Sequence, residues 1–257
     1  MPGQAKARVG EPCAELSELT RSANEAAQIR SLECDVERYL QPPAKTPYPL
    51  EYAYHLLGDV RRRQVVDLGC GSGEDIVVLG TRGAFVTGVD LSAELIEVAR
   101  RRARHYGVTA DLRVASAYAT GLPDRCADVV FCMAVLHHLD LARAKREILR
   151  LLRPGGRLIL REPVRFSWAV KQLRRMLPTA EEVSESEYPL SRGQVAAISA
   201  GLELLAARGF RSVFCAAGTK LTGAAERLTA TDAAILRLLP ALTHYATVTV
   251  VALRKPE

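Results

Sequence analysis

The chain has 257 residues, 48% of them hydrophobic and 25% charged, with a net charge of +6. That suits one sizeable α/β core with additions and is too short for two full domains of that kind. No run of about 18 apolar residues occurs and no apolar segment follows Lys6 and Arg8, so neither a membrane span nor a secretory signal is expected.

In chain order, residues 1–14 are expected to be disordered. Residues 15–40 read as helix from Leu16, Leu19, Ala23, Ala26 and Ala27. Four prolines between Gln41 and Pro49 stop it, and Leu50–Val60 resumes a helical pattern. Val65–Leu68 is a short apolar strand, Asp75–Gly80 a helix and Ala84–Val89 a strand. Ser92–His105 is an amphipathic helix, with Ser92 as N-cap and Glu94 in its first turn. Leu112–Ala115 and Ala127–Met133 are strands, the second as continuously apolar as a buried parallel strand should be. Leu141–Leu152 is a helix that stops at Arg153-Pro-Gly-Gly156, before a strand at Arg157–Leu160. Residues 163–190 break the rhythm. Gly193–Arg208 then reads as helix, Phe210–Ala216 as strand, 222–240 as a helical insertion and Tyr245–Leu253 as a final strand.

Strands alternating with helices predict an α/β, Rossmann-like doubly wound sheet. Residues 1–60 form an N-terminal helical extension or cap on a domain spanning 61–257. Two segments, 163–190 and 218–244, are candidate lids. Within the first, Val164, Phe166, Trp168, Val170 and Leu173 alternate with Lys171, Arg174 and Arg175, as on a helix with one apolar face over a pocket.

The six cysteines include no C-x-x-C pair, which argues for reduced thiols in a cytoplasmic protein and against a zinc site; no metal is expected. The basic clusters at Arg61–Arg63, Arg100–Arg104 and Arg161–Arg175 are not interleaved with aromatics, which make up only 5% of the chain. Nucleic acid is therefore a disfavoured partner.

The chemistry concentrates in Val65-Val-Asp-Leu-Gly-Cys-Gly-Ser-Gly73, where a strand ends, the chain turns on glycine and a helix begins. Gly69 permits the tight turn, Gly71 allows a ligand to approach the backbone, and Gly73 lets the helix sit close. Asp90 ends the next strand, where a carboxylate can accept two hydrogen bonds from a ribose diol. The spacing is G-x-G-x-G, whereas dinucleotide sites use G-x-G-x-x-G. Asp67, just before the loop, would repel a diphosphate and attract an ammonium. S-adenosylmethionine (SAM) has that ammonium and no phosphate.

These segments resemble the class I SAM-dependent small-molecule methyltransferases that include the ubiquinone and menaquinone methylases. The resemblance covers about residues 60–165. Val65–Gly73, including Ser72, looks like the family's first motif and Val86–Ser92, with Asp90 and Leu91, like the second. Arg113–Ala117 looks like the third, Asp128–Leu139 like the fourth and Leu152–Leu160 like the last. The resemblance implies a seven-stranded sheet, mostly parallel with an antiparallel last strand, and places Met133 against the cofactor. The third motif implies an adenine contact at Ser116 and Ala117, where the family usually has an acid or amide.

Leu136-His-His-Leu139 and Arg161-Glu-Pro163 follow strand ends, where ligands bind in such sheets. His137 or His138 is a candidate general base, or a packed or capping residue. Glu162 could orient the substrate, or pair with Arg161 or Arg165. Tyr48, Tyr52, Tyr54, Phe166, Trp168, Tyr188 and His244 are candidate lining of a substrate chamber. The expected reaction is methyl transfer from SAM to an oxygen, nitrogen or carbon nucleophile of a small molecule, giving S-adenosyl-L-homocysteine (SAH). The rivals are an RNA or protein methyltransferase, for which no Asn-Pro-Pro-Tyr type motif follows the fourth strand, and a SAM-binding protein of this fold that transfers no methyl group.

Overall fold

A computed structural model of the chain describes residues 11–165, 189–212, 215 and 225–257. Three helices come first: α1 (Glu11–Gln28), α2 (Glu37–Leu40) and α3 (Pro49–Leu57). Next come β1 (Gln64–Leu68), α4 (Glu74–Thr81), β2 (Phe85–Asp90), α5 (Ala93–His105), β3 (Ala110–Val114) and β4 (Ala127–Met133). A 3-10 turn (Leu136–His138) leads to α6 (Leu141–Leu151) and β5 (Leu152–Pro163). The described chain ends with α7 (Arg192–Ser199), β6 (Glu203–Ser212), α8 (Ala225–Leu238), a second 3-10 turn (Pro240–Tyr245) and β7 (Ala246–Arg254).

The seven strands form one sheet in the order β3-β2-β1-β4-β5-β7-β6. The pairs from β3 to β5 are parallel; β7 runs antiparallel to both its neighbours. Central strands are buried on both sides, so their residues are apolar almost throughout: β4 carries Val129, Val130, Phe131 and Cys132, all at most 1% exposed. One face of the sheet packs on Ala53, Tyr54 and Leu57 of α3 and on α4 and α5. The other packs on Ala144, Ile148 and Leu151 of α6 and on Ile198 of α7.

Several sequence-based boundaries move. The helix expected over 15–40 starts at Glu11 and ends at Gln28, after which residues 29–36 belong to neither helix nor strand before α2 begins at Glu37. The cause is tertiary. Arg102 of α5, with its side chain only 3% exposed, donates to the carbonyls of Ser31, Leu32 and Ser72. The Tyr106 hydroxyl accepts from the Cys34 amide and donates to the Cys34 carbonyl. Backbone groups that a helix would pair internally are taken by side chains of α5 instead. Expected disorder over 1–14 gives way to helix from Glu11; residues 1–10 lie outside the described residues.

The helix expected over Gly193–Arg208 is shorter. It stops at Ser199, and Gly201 turns with φ +76°. Glu203–Arg208, rich in the helix formers Leu and Ala, is strand, because its backbone pairs with β7 from Glu203↔Arg254 to Ser212↔Ala246. Long-range pairing overrides local propensity here. β5 is also longer than expected, running from Leu152 to Pro163.

Arg102→Ala should free the 29–36 segment. Three part-buried carbonyls lose a charged donor, at a cost of about 2–4 kcal/mol. The expected fall in Tm is roughly 5–12 °C for a chain of this size, with protease cleavage between Ile29 and Val36 preceding cleavage of the core. A Tm and cleavage pattern equal to wild type would remove Arg102 as the fastening of the N-terminal segment.

Candidate functional site

The C-terminal edge of the parallel strands gathers most of the sequence-predicted residues. Asp67 is the penultimate residue of β1, on the α3–α4 face, and is 1% exposed. Neither of its carboxylate oxygens has a hydrogen-bond partner. Burial, reinforced by the charges of Asp75 and Asp90, pushes its carboxyl well above the usual range. An unpartnered buried carboxylate is costly, so the site lacks a donor that a ligand would supply.

The turn beside it is built on glycine. Gly69 has φ +78°, and a Cβ there would collide with Val135. Gly71 has φ +49° with open space where a Cβ would stand, so its backbone faces a vacant approach. Asp90, at the end of β2, accepts the Gly71 amide at 2.9 Å through Oδ2 and the Ser92 amide at 2.9 Å through Oδ1. Each oxygen keeps acceptor capacity for a diol. Burial raises the Asp90 carboxyl; the two amides oppose that rise. The donor set fits SAM: Asp67 for the ammonium, Asp90 for the ribose, Gly71 for close backbone approach.

Ser116 and Ala117 lie in the turn after β3, both partly buried. Ser116 Oγ accepts the Tyr118 amide at 3.3 Å, and Ser116 forms an isolated bridge with Ala119. Met133, partly buried, packs on the α3–α4 side at the end of β4. Ser92 caps α5 as expected, accepting the Leu95 amide.

On the opposite face, Glu162 of β5 is fully buried. Its Oε1 accepts the amides of Val135 and Leu136 at 3.0 and 2.9 Å, and its Oε2 lies 2.8 Å from His137 Nδ1. The His137 and His138 rings lie against each other, tilted by 41° with centroids 3.9 Å apart. His138 Nε2 lies 3.3 Å from an Nη of Arg21 on α1, and its Nδ1 lies 3.8 Å from Glu18. Guanidinium only donates, so His138 Nε2 accepts. The N-terminal helix thus borders both halves: Glu18 also raises the Asp90 carboxyl through its charge.

A family model described as a methyltransferase domain matches residues 66–160. The ubiquinone biosynthesis O-methyltransferase of Bordetella bronchiseptica is 32% identical over 176 residues, covering 65% of this chain and 73% of that protein. The chain belongs to the class I SAM-dependent methyltransferases.

The ubiquinone biosynthesis O-methyltransferase of Aeromonas salmonicida is 35% identical over 136 residues, 51% of this chain; the match spans 57% of that protein. Among solved structures, geranyl diphosphate C-methyltransferase from Streptomyces coelicolor A3(2) shares the fold. Its TM-score is 0.63 at 16% identity, covering 96% of this chain and 100% of that one.

Within this methyltransferase some expectations shift. Glu162 pairs with neither Arg161 nor Arg165: strand alternation sends Arg161 to the other face, and the carboxylate is used up by His137 and two amides. Tyr54 is fully buried and its hydroxyl donates to Asp75. Tyr52 lies against Phe210 and Tyr48 under Arg38. His244 is exposed and bonds locally to Ala241, which removes it from any enclosed chamber. Phe166, Trp168 and Tyr188 lie outside the described residues, as does most of the 163–190 lid segment. Sequence reasoning missed Asp75, which reads as an ordinary acidic residue in a helix's first turn. It also missed Glu18 and Arg21, which only the path of α1 brings to the site.

The buried carboxylate gives a signed prediction. The Asp67 carboxyl is raised in the folded state, so the native protein holds a proton that the unfolded chain releases near pH 4. Without ligand, stability should therefore fall as pH rises from about 4 through neutrality. Asp67→Asn should flatten that slope and raise Tm at pH 7–8, while weakening SAM at least about tenfold. Asp90→Ala should cost SAM affinity roughly 1.5–3 kcal/mol, read by calorimetry. Unchanged affinity in both folded variants would displace the cofactor from this turn.

Proposed function

We propose that the chain transfers the methyl group of SAM to an oxygen, nitrogen or carbon nucleophile of a small molecule. The observation that carries this reading is the buried, unpartnered Asp67 carboxylate beside an open glycine turn, with Asp90 one strand away. The ubiquinone biosynthesis O-methyltransferases support an oxygen nucleophile. Cys34, Cys70, Cys126, Cys132 and Cys215 are free thiols, which supports a cytoplasmic setting, and no helix among the described residues is long and apolar enough to cross a membrane.

SAM supplies a sulfonium-bound methyl that is already a strong electrophile. What remains for the protein is to position the acceptor and remove its proton. Asp67 holds the ammonium, Gly71 and Asp90 hold the nucleoside, and Ser116, Ala117, Leu91 and Met133 border it. Ser72 completes the turn; its carbonyl is held by Arg102.

His138 is the proposed base. Its side chain is 15% exposed against 6% for His137; Arg21 donates to its Nε2, so the acceptor displaces that guanidinium before Nε2 takes the proton. Glu162 is a positioning residue: it fixes the 135–137 backbone and the His137 ring, which packs against the His138 ring.

His138→Gln should lower kcat for a hydroxyl acceptor by about 10²-fold or more, leave SAM affinity within about twofold, and abolish the acidic limb of the pH–rate profile. Labelled SAM with a panel of phenols, amines and carbon acids is the assay. A variant with kcat and pH profile unchanged would give the proton transfer to another group. No methyl transfer to any small acceptor, with SAM still bound, would favour the rivals.

A further inference from the structure

Arg161 has no part in the chemistry above. It stands on β5 between Met133 of β4 and Val250 of β7 in register, on the face that carries Ile159 and Asp67. Among the described residues its guanidinium makes no hydrogen bond and no ion pair, and its Nε is buried without an acceptor. The charge of Asp75 reaches it, but the Asp75 carboxylate bonds to Tyr54.

The same row continues outward: Val250 pairs with Arg208 of β6. Arg208 lies over the Tyr52 and Phe210 rings and gives one Nη to the Ala44 carbonyl. Its Nε and other Nη are buried with no acceptor. Two strand spacings separate the two arginines, about 10 Å between Cα atoms. Buried donors of a cation are almost always matched by acceptors, and here two neighbouring guanidiniums in one row keep theirs unspent. A ligand oxyanion would complete them. The row leads from Met133 away from Asp67, towards β6.

We propose that Arg161 binds an anionic group, carboxylate or phosphate, on the acceptor, and that Arg208 extends the positive strip on which that group lies. The acceptor is then a small acid. Its anion is held on the α3 face while its nucleophile meets the methyl donor at the end of β4. This inference rests on the methyltransferase reading of the same site.

The test titrates benzoate, phenyl phosphate and the neutral benzamide into the full chain, with and without saturating SAH. At least one anion should bind tenfold or more tighter than benzamide, and the tighter of the two identifies carboxylate or phosphate as the natural group. Arg161→Gln should remove the preference, Arg161→Lys should keep part of it, and SAH affinity should stay unchanged in both. Equal binding of the three probes by wild type overturns the proposal, and this comparison stands even if a variant fails to fold. A preference surviving in Arg161→Gln overturns it as well. So does a tenfold loss of SAH with 5′-methylthioadenosine unaffected, which would assign Arg161 to the cofactor's own carboxylate. Failure of wild type to bind SAH would overturn the cofactor reading instead, and the anion preference without SAH would still be scored by itself.

Discussion

Carboxylates packed at one sheet edge are the constraint on which the rest of the site depends. Asp67 and Asp90 stand at the C-terminal ends of adjacent parallel strands, and Asp75 lies in the first turn of the helix that follows the glycine turn. Burial raises all three, and the charges of Asp75 and Asp90 add to the rise at Asp67. Each is treated differently. Asp90 is held by two amides, Asp75 by the Tyr54 hydroxyl, and Asp67 by nothing. The first two bonds are structural: Asp90 fixes the glycine turn to β2, and Tyr54 ties α3 to α4. Asp67 alone keeps both oxygens unpartnered, and a cation is its natural complement.

The N-terminal helices are fastened to this edge and are not merely attached to the domain. α3 is core, with Ala53, Tyr54 and Leu57 fully buried against β5 and β7. α1 packs on α5, and the irregular segment behind it is gripped by Arg102, which also holds the Ser72 carbonyl of the glycine turn. One buried guanidinium therefore couples the cofactor turn to the segment that carries Glu18 and Arg21 over His138. Movement of α1 cannot be independent of the turn while these bonds persist.

Strand alternation divides the labour of β5. Glu162 faces α6 and spends its charge on the His137 loop, while Arg161 faces α3 and keeps its donors. Adjacent residues thus serve opposite sides of the sheet at the same height. An antiparallel β7 makes this possible at the next strand too, since its register places Val250 between Arg161 and Arg208.

The sequence by itself determined the parts whose causes are local. A glycine turn needs glycine at Gly69 and Gly71, a buried parallel strand needs the apolar run of β4, and Ser92 caps α5 through its own side chain. Asp67 and Asp90 were legible for the same reason, because strand ends and turns fix where such side chains go. What only the tertiary structure decided depends on partners distant in the chain. Leu204–Arg208 has helical composition, yet β7 draws it into the sheet. Residues 29–36 continue a helical pattern, yet Arg102 and Tyr106 claim their backbone groups. The pairing of Glu162 with His137 and the approach of Arg21 to His138 span 25 and 117 residues. No periodicity encodes such contacts; they arise when the sheet closes and α1 is strapped across its edge.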